Sequence, residues 1–500
     1  MIKIRNIIIL DMDGFYMKIK SFLTVLSLCI SAGLLANCSA NPATGRTQFT
    51  GLMSPAQEQS VGAQEHPNII AEFGEYQNPR LSAYVQEIGT KVTRDTERPD
   101  VQYRFFVLDS PIVNAFALPG GYIYLSRGLL ALANNEAEMA SVLGHEAGHI
   151  TGRHSAERYS RGVVTGLGVG ILAAAIDRGG ASQALGIGAD LYLKSYSRAQ
   201  EHEADSLGIR YMAQSGYDPL ASASFLQSLQ MATEFEAQLD GRQQASMSYF
   251  STHPATSERV QRASSEASMV RTNGALNRDR YLDMIDGMTY GESAKHGFVR
   301  EQDFIHPEIG FRFSVPNGFR ISNQPSQVVA TSQSGAVVLF DMAQNQGGQD
   351  PLSYLTQNWL KNPPSEPAEA ITINGMRAAT AGFQGSVNNQ PMMIRLVAIE
   401  FAPRQFARFQ IGIPQGAAAS VVEDLKRTTY SFAKLSEAEK NSFRPYVLRV
   451  VTARSGDTIA SMAARFPYER MNVERFRVLN ALAPNAQIVP GQRYKIIAAQ

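Results

Sequence analysis

The stretch from Glu136 to His154 carries Met139, Val142, Leu143 and Ile150 at helical spacing, and within it His145, Glu146 and His149 spell HEAGH. No other segment restricts the fold as tightly. An α-helix presents residues four apart on one face, so the two imidazoles can meet a single metal ion while Glu146 sits beside its open position. Three fixed positions in five also recur by accident in ordinary helices. The motif therefore takes its weight from what accompanies it.

A catalytic zinc site takes three protein ligands and keeps one position open. The helical pattern over Arg198 to Ser215, closed by Gly216 and by Pro219 just beyond, carries Glu201-His202-Glu203-Ala204-Asp205. Glu201 is the expected third ligand, because carboxylate oxygen is a standard partner for two histidines. Asp205, one turn on, can accept the free ring N–H of a ligand histidine and fix its tautomer. Glu146 is the expected general base on zinc-bound water, whose pKa falls from about 15.7 to about 7 on the metal. His154 lies five residues past His149, off its face, and reads as a helix-end residue near the dipole. His202 points away from Glu201 and Asp205; both histidines read as structural.

Upstream, Asn114, Ala115, Phe116, Ala117 and Leu118 run into Pro119-Gly120-Gly121 and then Tyr122-Ile123-Tyr124-Leu125, two short strands about a turn. AsnAlaPheAlaLeuProGlyGly, HEAGH and Glu-x-Glu-Ala-Asp together resemble the HtpX, BepA and CAAX prenyl protease group of zinc metallopeptidases, over roughly residues 54 to 265. The resemblance implies a gluzincin-type site with one Zn2+ per chain held by His145, His149 and Glu201, and leaves Glu203 on the helix surface or behind the ligands. His253, in SerThrHisProAlaThr, matches a histidine that in BepA-like members can take the fourth zinc position and hold the enzyme off. Its competing role is an oxyanion donor to the tetrahedral intermediate. Asn114 to Leu118 would be an edge strand to which an extended substrate adds by backbone pairing. The membrane helices of the group are absent from the pattern, so the soluble periplasmic BepA-like branch is the closer match. The helical repeats of that branch are missing too.

Lys18 and Lys20 followed by the apolar run Phe22 to Leu35 read as a secretory signal, too short for a bilayer span. Leu35-Ala36-Asn37-Cys38 resembles a bacterial lipobox, with Asn37 where a small residue is usual, and Ser39 after the cysteine favours outer-membrane sorting. Cys29 and Cys38 are the only cysteines, so cleavage would leave Cys38 alone, an anchor rather than half of a disulfide. At 500 residues the chain exceeds one ordinary core, and roughly two to four domains are expected. The formal net charge of +1 gives no whole-chain field for nucleic acid. From Arg444 onward, however, Arg and Lys outnumber Asp and Glu. There SerGlyAspThrIle, ValLeuAsnAla and ValProGlyGln sit in a strand, helix, helix, strand order that resembles a LysM domain.

The expected fold class is α+β multidomain: a mainly helical zincin-type metalloprotease domain with a short β-sheet edge, a β-rich α+β domain, and a small βααβ LysM-like domain. The expected boundaries are a leader at 1–38, a tether at 39–53, the protease domain at 54–270, a linker at 271–297, the β-rich domain at 298–440 and the LysM-like unit at 446–497. The glycine-spaced apolar run from Gly162 to Ile176 reads as a buried helix under the site. The function implied is an exported, periplasmic endopeptidase anchored to the outer membrane through Cys38, cleaving misfolded or unassembled envelope proteins and touching peptidoglycan through its basic end. The alternatives are a chaperone or assembly factor for outer-membrane proteins with latent proteolysis, and a cell-wall-binding protein.

Overall fold

The computed structural model describes residues 38–164, 195–240, 249, 253, 256–270, 273–324, 326–360, 364, 367–387 and 390–500. The signal segment and most of the apolar run after Gly162 lie outside the described residues. Helix and sheet alternate through the chain, an α+β architecture of several sheets.

The chain enters as a hairpin of β1 (Cys38–Ala40) and β2 (Thr47–Phe49), paired antiparallel. Ser54 then caps α1 (Pro55–Phe73) through a capping box with Gln57, and Pro55 occupies the first turn, where its missing N–H costs nothing. Helix α2 (Pro79–Thr93) buries Leu81, Tyr84, Val85, Ile88 and Val92, the stripe its spacing predicts. Strands β3 (Arg104–Leu108), β4 (Ala115–Leu118) and β5 (Tyr122–Ser126) form a sheet in the order β3-β5-β4, with β3 parallel and β4 antiparallel to β5. Gly120 and Gly121 turn the chain between β4 and β5 at φ of 85° and 101°, which other residues rarely adopt. Asn114 falls just outside β4.

Helix α3 (Arg127–Leu132) leads into α4 (Glu136–Thr151), which is buried along its entire length, polar residues included. The expected continuation of this helix to His154 is corrected by the structure. It stops at Thr151, Arg153 takes a left-handed φ of 55°, and α5 (His154–Val164) starts in a new direction. Helices α6 (Arg198–Gln214), α7 (Leu220–Asp240) and α8 (Ser257–Met269) complete the surround of α4.

Two segments expected as connectors are built structure instead. Residues 39–53 fold onto the helices: Asn41, 1% exposed, donates to the carbonyl of Gly152, and Arg46 pairs with Glu157 and Glu203. Residues 271–297 hold α9 (Arg278–Ile285), whose Tyr281, Leu282 and Ile285 are buried, and β6 (Thr289–Tyr290). Strand β6 pairs with Tyr446–Thr452, which pairs in turn with Arg493–Ala499. The C-terminal unit thus borrows a strand from the segment that leads away from the helices.

Its core is also shared: Leu448, Ile459, Met462, Phe476, Tyr494 and Ile496 belong to the same buried cluster as Leu143 and Ile88. Lys495 seals the joint, donating to the carbonyls of Ala131, Leu132 and Ala133 at 2.6, 3.0 and 2.7 Å. Three acceptors match three ammonium hydrogens at the C-terminus of α3, where a cation is favoured, although burial pushes the ammonium down to about 7. The first helix of the unit, Ile459–Ala463, is capped by Thr458 through a capping box with Ser461.

Between these parts lies a β-rich module. Seven antiparallel strands run in the spatial order Phe319–Asn323, Val328–Ser332, Val337–Gln344, Gln405–Pro414, Gln390–Ala402, Met376–Val387 and Glu369–Ile373. A second sheet, including Asp303–His306 and Phe311–Ser314, encloses a phenylalanine-rich core with it.

Candidate metal centre

Two pairs of small residues set the distance between the helices that matter. Gly144 and Gly148 on α4 face Ala204 and Gly208 on α6, and a Cβ on Gly208 would lie 2.9 Å from the backbone nitrogen of His145. Only hydrogen fits there, so the two backbones approach closely and the first turn of α6 is brought against the histidines. A capping box between Ser197 and Gln200 fixes where that turn starts.

Glu201 thereby meets His145 and His149, and His253, tied to Tyr249, reaches the same point. The backbone N–H of Tyr249 donates to Val113 O at 2.8 Å, just before β4, and His253 N donates to Tyr249 O at 2.7 Å. His145, His149, Glu201 and His253 are all buried and could together hold a metal ion. Their atoms are spaced for it. His145 Nε2 lies 3.1 Å from His149 Nε2 and 3.3 Å from His253 Nδ1; Glu201 Oε1 lies 2.9 Å from His253 Nδ1 and 3.5 Å from His149 Nε2. A tetrahedron with bonds of about 2.0–2.2 Å has edges of about 3.3–3.6 Å, so two of these gaps already have that spacing and the two shorter ones would open on metal binding.

Glu146 is 0% exposed, and neither of its carboxylate oxygens has a hydrogen-bond partner among the described residues. His253 Nε2 lies 3.6 Å from its Oε1. A carboxylate buried without partners is costly, so it persists where chemistry requires it. Burial raises its pKa, against the pull of His253 and His145.

Asp205 stands where expected, its Oδ1 2.9 Å from His145 Nδ1. Burial alone would lower the His145 pKa, but this carboxylate outweighs it and the net shift is upward. His149 has no such partner, and burial beside the other histidines drives its pKa well down. Arg259 on α8 was not singled out by sequence, yet it joins the whole group. Its guanidinium clasps Asp205 at 2.8 and 2.7 Å, reaches Glu201 Oε2 at 2.8 Å and donates to His253 O at 3.2 Å. Burial opposes ionisation of Asp205, but Arg259 and His145 hold its pKa well below the usual carboxylate range. The signal was available: Arg259, Ala263 and Ala267 are the buried positions of α8, so an arginine falls on an apolar stripe. Tyr196 and Tyr249 were also missed; their rings stack on His149 at 3.9 Å and on His253 at 4.6 Å.

The remaining expectations divide. His202 lies 3.3 Å from Arg262 on the exposed side, away from the centre. His154, expected as a helix-end residue, turns back instead so that its Nδ1 lies 2.8 Å from His149 Nδ1. The break at Gly152 and Arg153 makes helical spacing the wrong guide to its direction. Strand β4 forms the edge of its sheet, and Ala117 lines a small cleft together with His149, Ile150, Ser155 and Tyr196.

Residues 79–267, which contain every one of these groups, match the family model described as Peptidase family M48. The chain is 27% identical over 224 residues to the mitochondrial metalloendopeptidase OMA1 of Schizosaccharomyces pombe, covering 44% of this chain and 64% of that one. It is 28% identical over 259 residues to the beta-barrel assembly-enhancing protease of Yersinia pestis, covering 50% and 52%, and 30% identical over 192 residues to that of Escherichia coli, covering 37% and 39%. The chain thus spans less than two thirds of the length of each of these relatives. Over residues 79–267, the stretch that holds the four donors, the chain is therefore similar to Peptidase family M48.

Proposed function

We propose that the protein is an exported zinc endopeptidase that hydrolyses peptide bonds of misfolded or unassembled envelope proteins. The observation that carries this reading is the buried Glu146 carboxylate, which no described residue hydrogen-bonds, beside four donors that could hold one metal ion. His145, His149 and Glu201 are the ligands, and two histidines with a carboxylate suit zinc. A zinc ion there supplies Lewis acidity, polarising a peptide carbonyl and making water a nucleophile near neutral pH. Glu146 takes the proton of that water and returns it to the leaving amine. Asp205 fixes the tautomer of His145, and Arg259 keeps Asp205 and Glu201 ionised. Strand β4, from Ala115 to Leu118, aligns the substrate by backbone pairing, which suits clients without a common sequence.

His253 is the resting fourth donor, and release of its turn from Val113 opens the position for water. In the competing role it donates to the oxyanion. His253→Ala separates the two: faster cleavage supports the latch, and lost turnover with zinc retained supports the oxyanion donor. Glu146→Gln tests the enzyme reading through casein cleavage, with zinc content measured beside it. Abolished cleavage at unchanged zinc is the expected outcome, and undiminished cleavage refutes it.

The relatives whose name joins barrel assembly to proteolysis motivate a second reading, an assembly factor with latent proteolysis. Rescue of envelope defects by Glu146→Gln would favour it. Lipidation at Cys38 would hold the protein at the outer membrane, and metabolic labelling with palmitate, compared with Cys38→Ala, tests this. Exposed Arg444, Arg449, Arg454, Arg465 and Arg470 are the groups left for the carboxylates of peptidoglycan, since Arg493 and Lys495 are spent on the joint with the helices.

A further inference from the structure

The two imidazoles of HEAGH are supported differently from behind. Asp205 holds the outer nitrogen of His145, whereas the outer nitrogen of His149 faces His154 Nδ1 at 2.8 Å. His154 is 0% exposed and is brought there by the bend at Gly152, where a Cβ would lie 2.5 Å from His154 Nε2. Beyond it, His154 Nε2 faces Glu203 Oε1 at 3.7 Å.

Glu203 is in turn held by the N-terminal hairpin. Arg46 Nε donates to its Oε2 at 3.1 Å, Thr44 Oγ1 donates to Oε1 at 3.2 Å, and Asn41 Nδ2 donates to Oε1. Arg46 bridges to Glu157 at 3.1 Å, which also accepts from Gln200, the neighbour of Glu201. Asn41 further donates to the Gly152 carbonyl at 3.3 Å, at the end of α4. The hairpin therefore grips α4, α5 and α6 at the back of the centre.

We propose that His154 and Glu203, clamped by Asn41 and Arg46, are positioning residues that fix the ring of His149 with its Nε2 towards the metal. A histidine that binds through Nε2 carries its proton on Nδ1, and His154 Nδ1 is placed to accept it. The remaining proton of His154 then lies on Nε2, towards the Glu203 carboxylate. Ligand histidines usually present the outer N–H to a carboxylate or a carbonyl; here a second imidazole is interposed and hands the contact on to the carboxylate. The segment that follows Cys38 thereby becomes part of the support of the metal site.

This inference rests on the reading of His149 as a zinc ligand, and the test separates the two. Full-length chain stripped of metal is titrated with zinc against a competing chelator, and the thermal midpoint of the metal-free protein is recorded. His154→Ala is expected to weaken zinc about 10- to 100-fold, the usual cost of losing an outer-shell partner, with the metal-free midpoint unchanged. His154→Asn, whose carboxamide oxygen takes the place of Nδ1, recovers most of that loss. A double variant, Asn41→Ala with Arg46→Ala, shifts affinity in the same direction by a smaller factor. Unchanged affinity in His154→Ala, or equal losses in the alanine and asparagine variants, overturns the proposal while leaving the metal centre intact. A parent chain that binds no zinc overturns both.

Discussion

The helices around α4 and the β-rich module bury their side chains on opposite terms. Helix α4 alone hides Glu136, Glu138, His145, Glu146 and His149, and all but Glu146 sit beside particular partners that make the interior tolerable. Glu136 accepts from Tyr84, Tyr217 and Asn277 at 2.7, 2.8 and 2.8 Å. In the β-rich module the equivalent space is taken by Phe311, Phe313, Phe340, Phe409 and Phe432, with ring centroids such as Phe313 and Phe340 4.8 Å apart. Aromatic burial is favourable whatever its neighbours do, whereas buried charge is favourable only while its partners stay. One region is built for chemistry and is conditionally stable; the other is built for stability and offers no comparable set of donors among the described residues.

That contrast can be broken by experiment. The largest expected effect is on rate: Glu146→Gln should slow peptide cleavage by about 10²–10⁴-fold, the usual worth of a general base, without altering unfolding of the β-rich module. Phe409→Ala should do the reverse, costing about 3–5 kcal/mol in denaturant unfolding while zinc affinity stays constant. A fall in zinc affinity in that variant would show that the two regions are not independent. Zinc removal should cost about 2.7 kcal/mol relative to a hundredfold excess over the dissociation constant. Hydrogen exchange should place that loss in α4 and α6, and equal loss in the seven-stranded sheet would erase the distinction.

The most gradual effect concerns His306, buried at the edge of the phenylalanine core. Burial lowers the His306 pKa to about 4, so the folded state takes up a proton less readily than the unfolded chain. Below the ordinary histidine value near 6.5 the unfolded state binds more protons, and stability should fall between about pH 6.5 and pH 4, by about 3 kcal/mol in all. His306→Gln should flatten that slope in unfolding experiments across the interval. A slope that survives belongs to other groups.

What was legible in the sequence follows the same division. His145, Glu146 and His149 were legible because their relation is local, fixed by 3.6 residues per turn. Glu201 and Asp205 were legible as a carboxylate pair one turn apart on a second helix. The close contact that brings them in was written as Gly144, Gly148, Ala204 and Gly208, small residues spaced at four, and becomes readable only once the two helices are known to face each other. Arg259 sat in view on an apolar stripe and was passed over, because its partners lie 54 and 58 residues away at Asp205 and Glu201. His154 was misread since helical spacing was carried past Arg153, whose backbone leaves the helix. The compositions of 39–53 and 271–297 suggested connectors; both are ordered by a few specific contacts, Asn41 and Arg46 in one and Tyr281 with β6 in the other.

The sequence by itself determined what depends on neighbours along the chain: the caps at Ser54 and Ser197, the buried stripe of α2, and the pair of imidazoles that can share one ion. The tertiary structure alone decided which buried charges meet. It set His253 against Glu201, Arg259 behind Asp205, Glu203 behind His154, and Lys495 of the last strand on the end of α3. Periodicity reports which face of an element is buried, because burial is a property of the element. The partner of a buried charge is a property of two distant segments, and only their packing selects it.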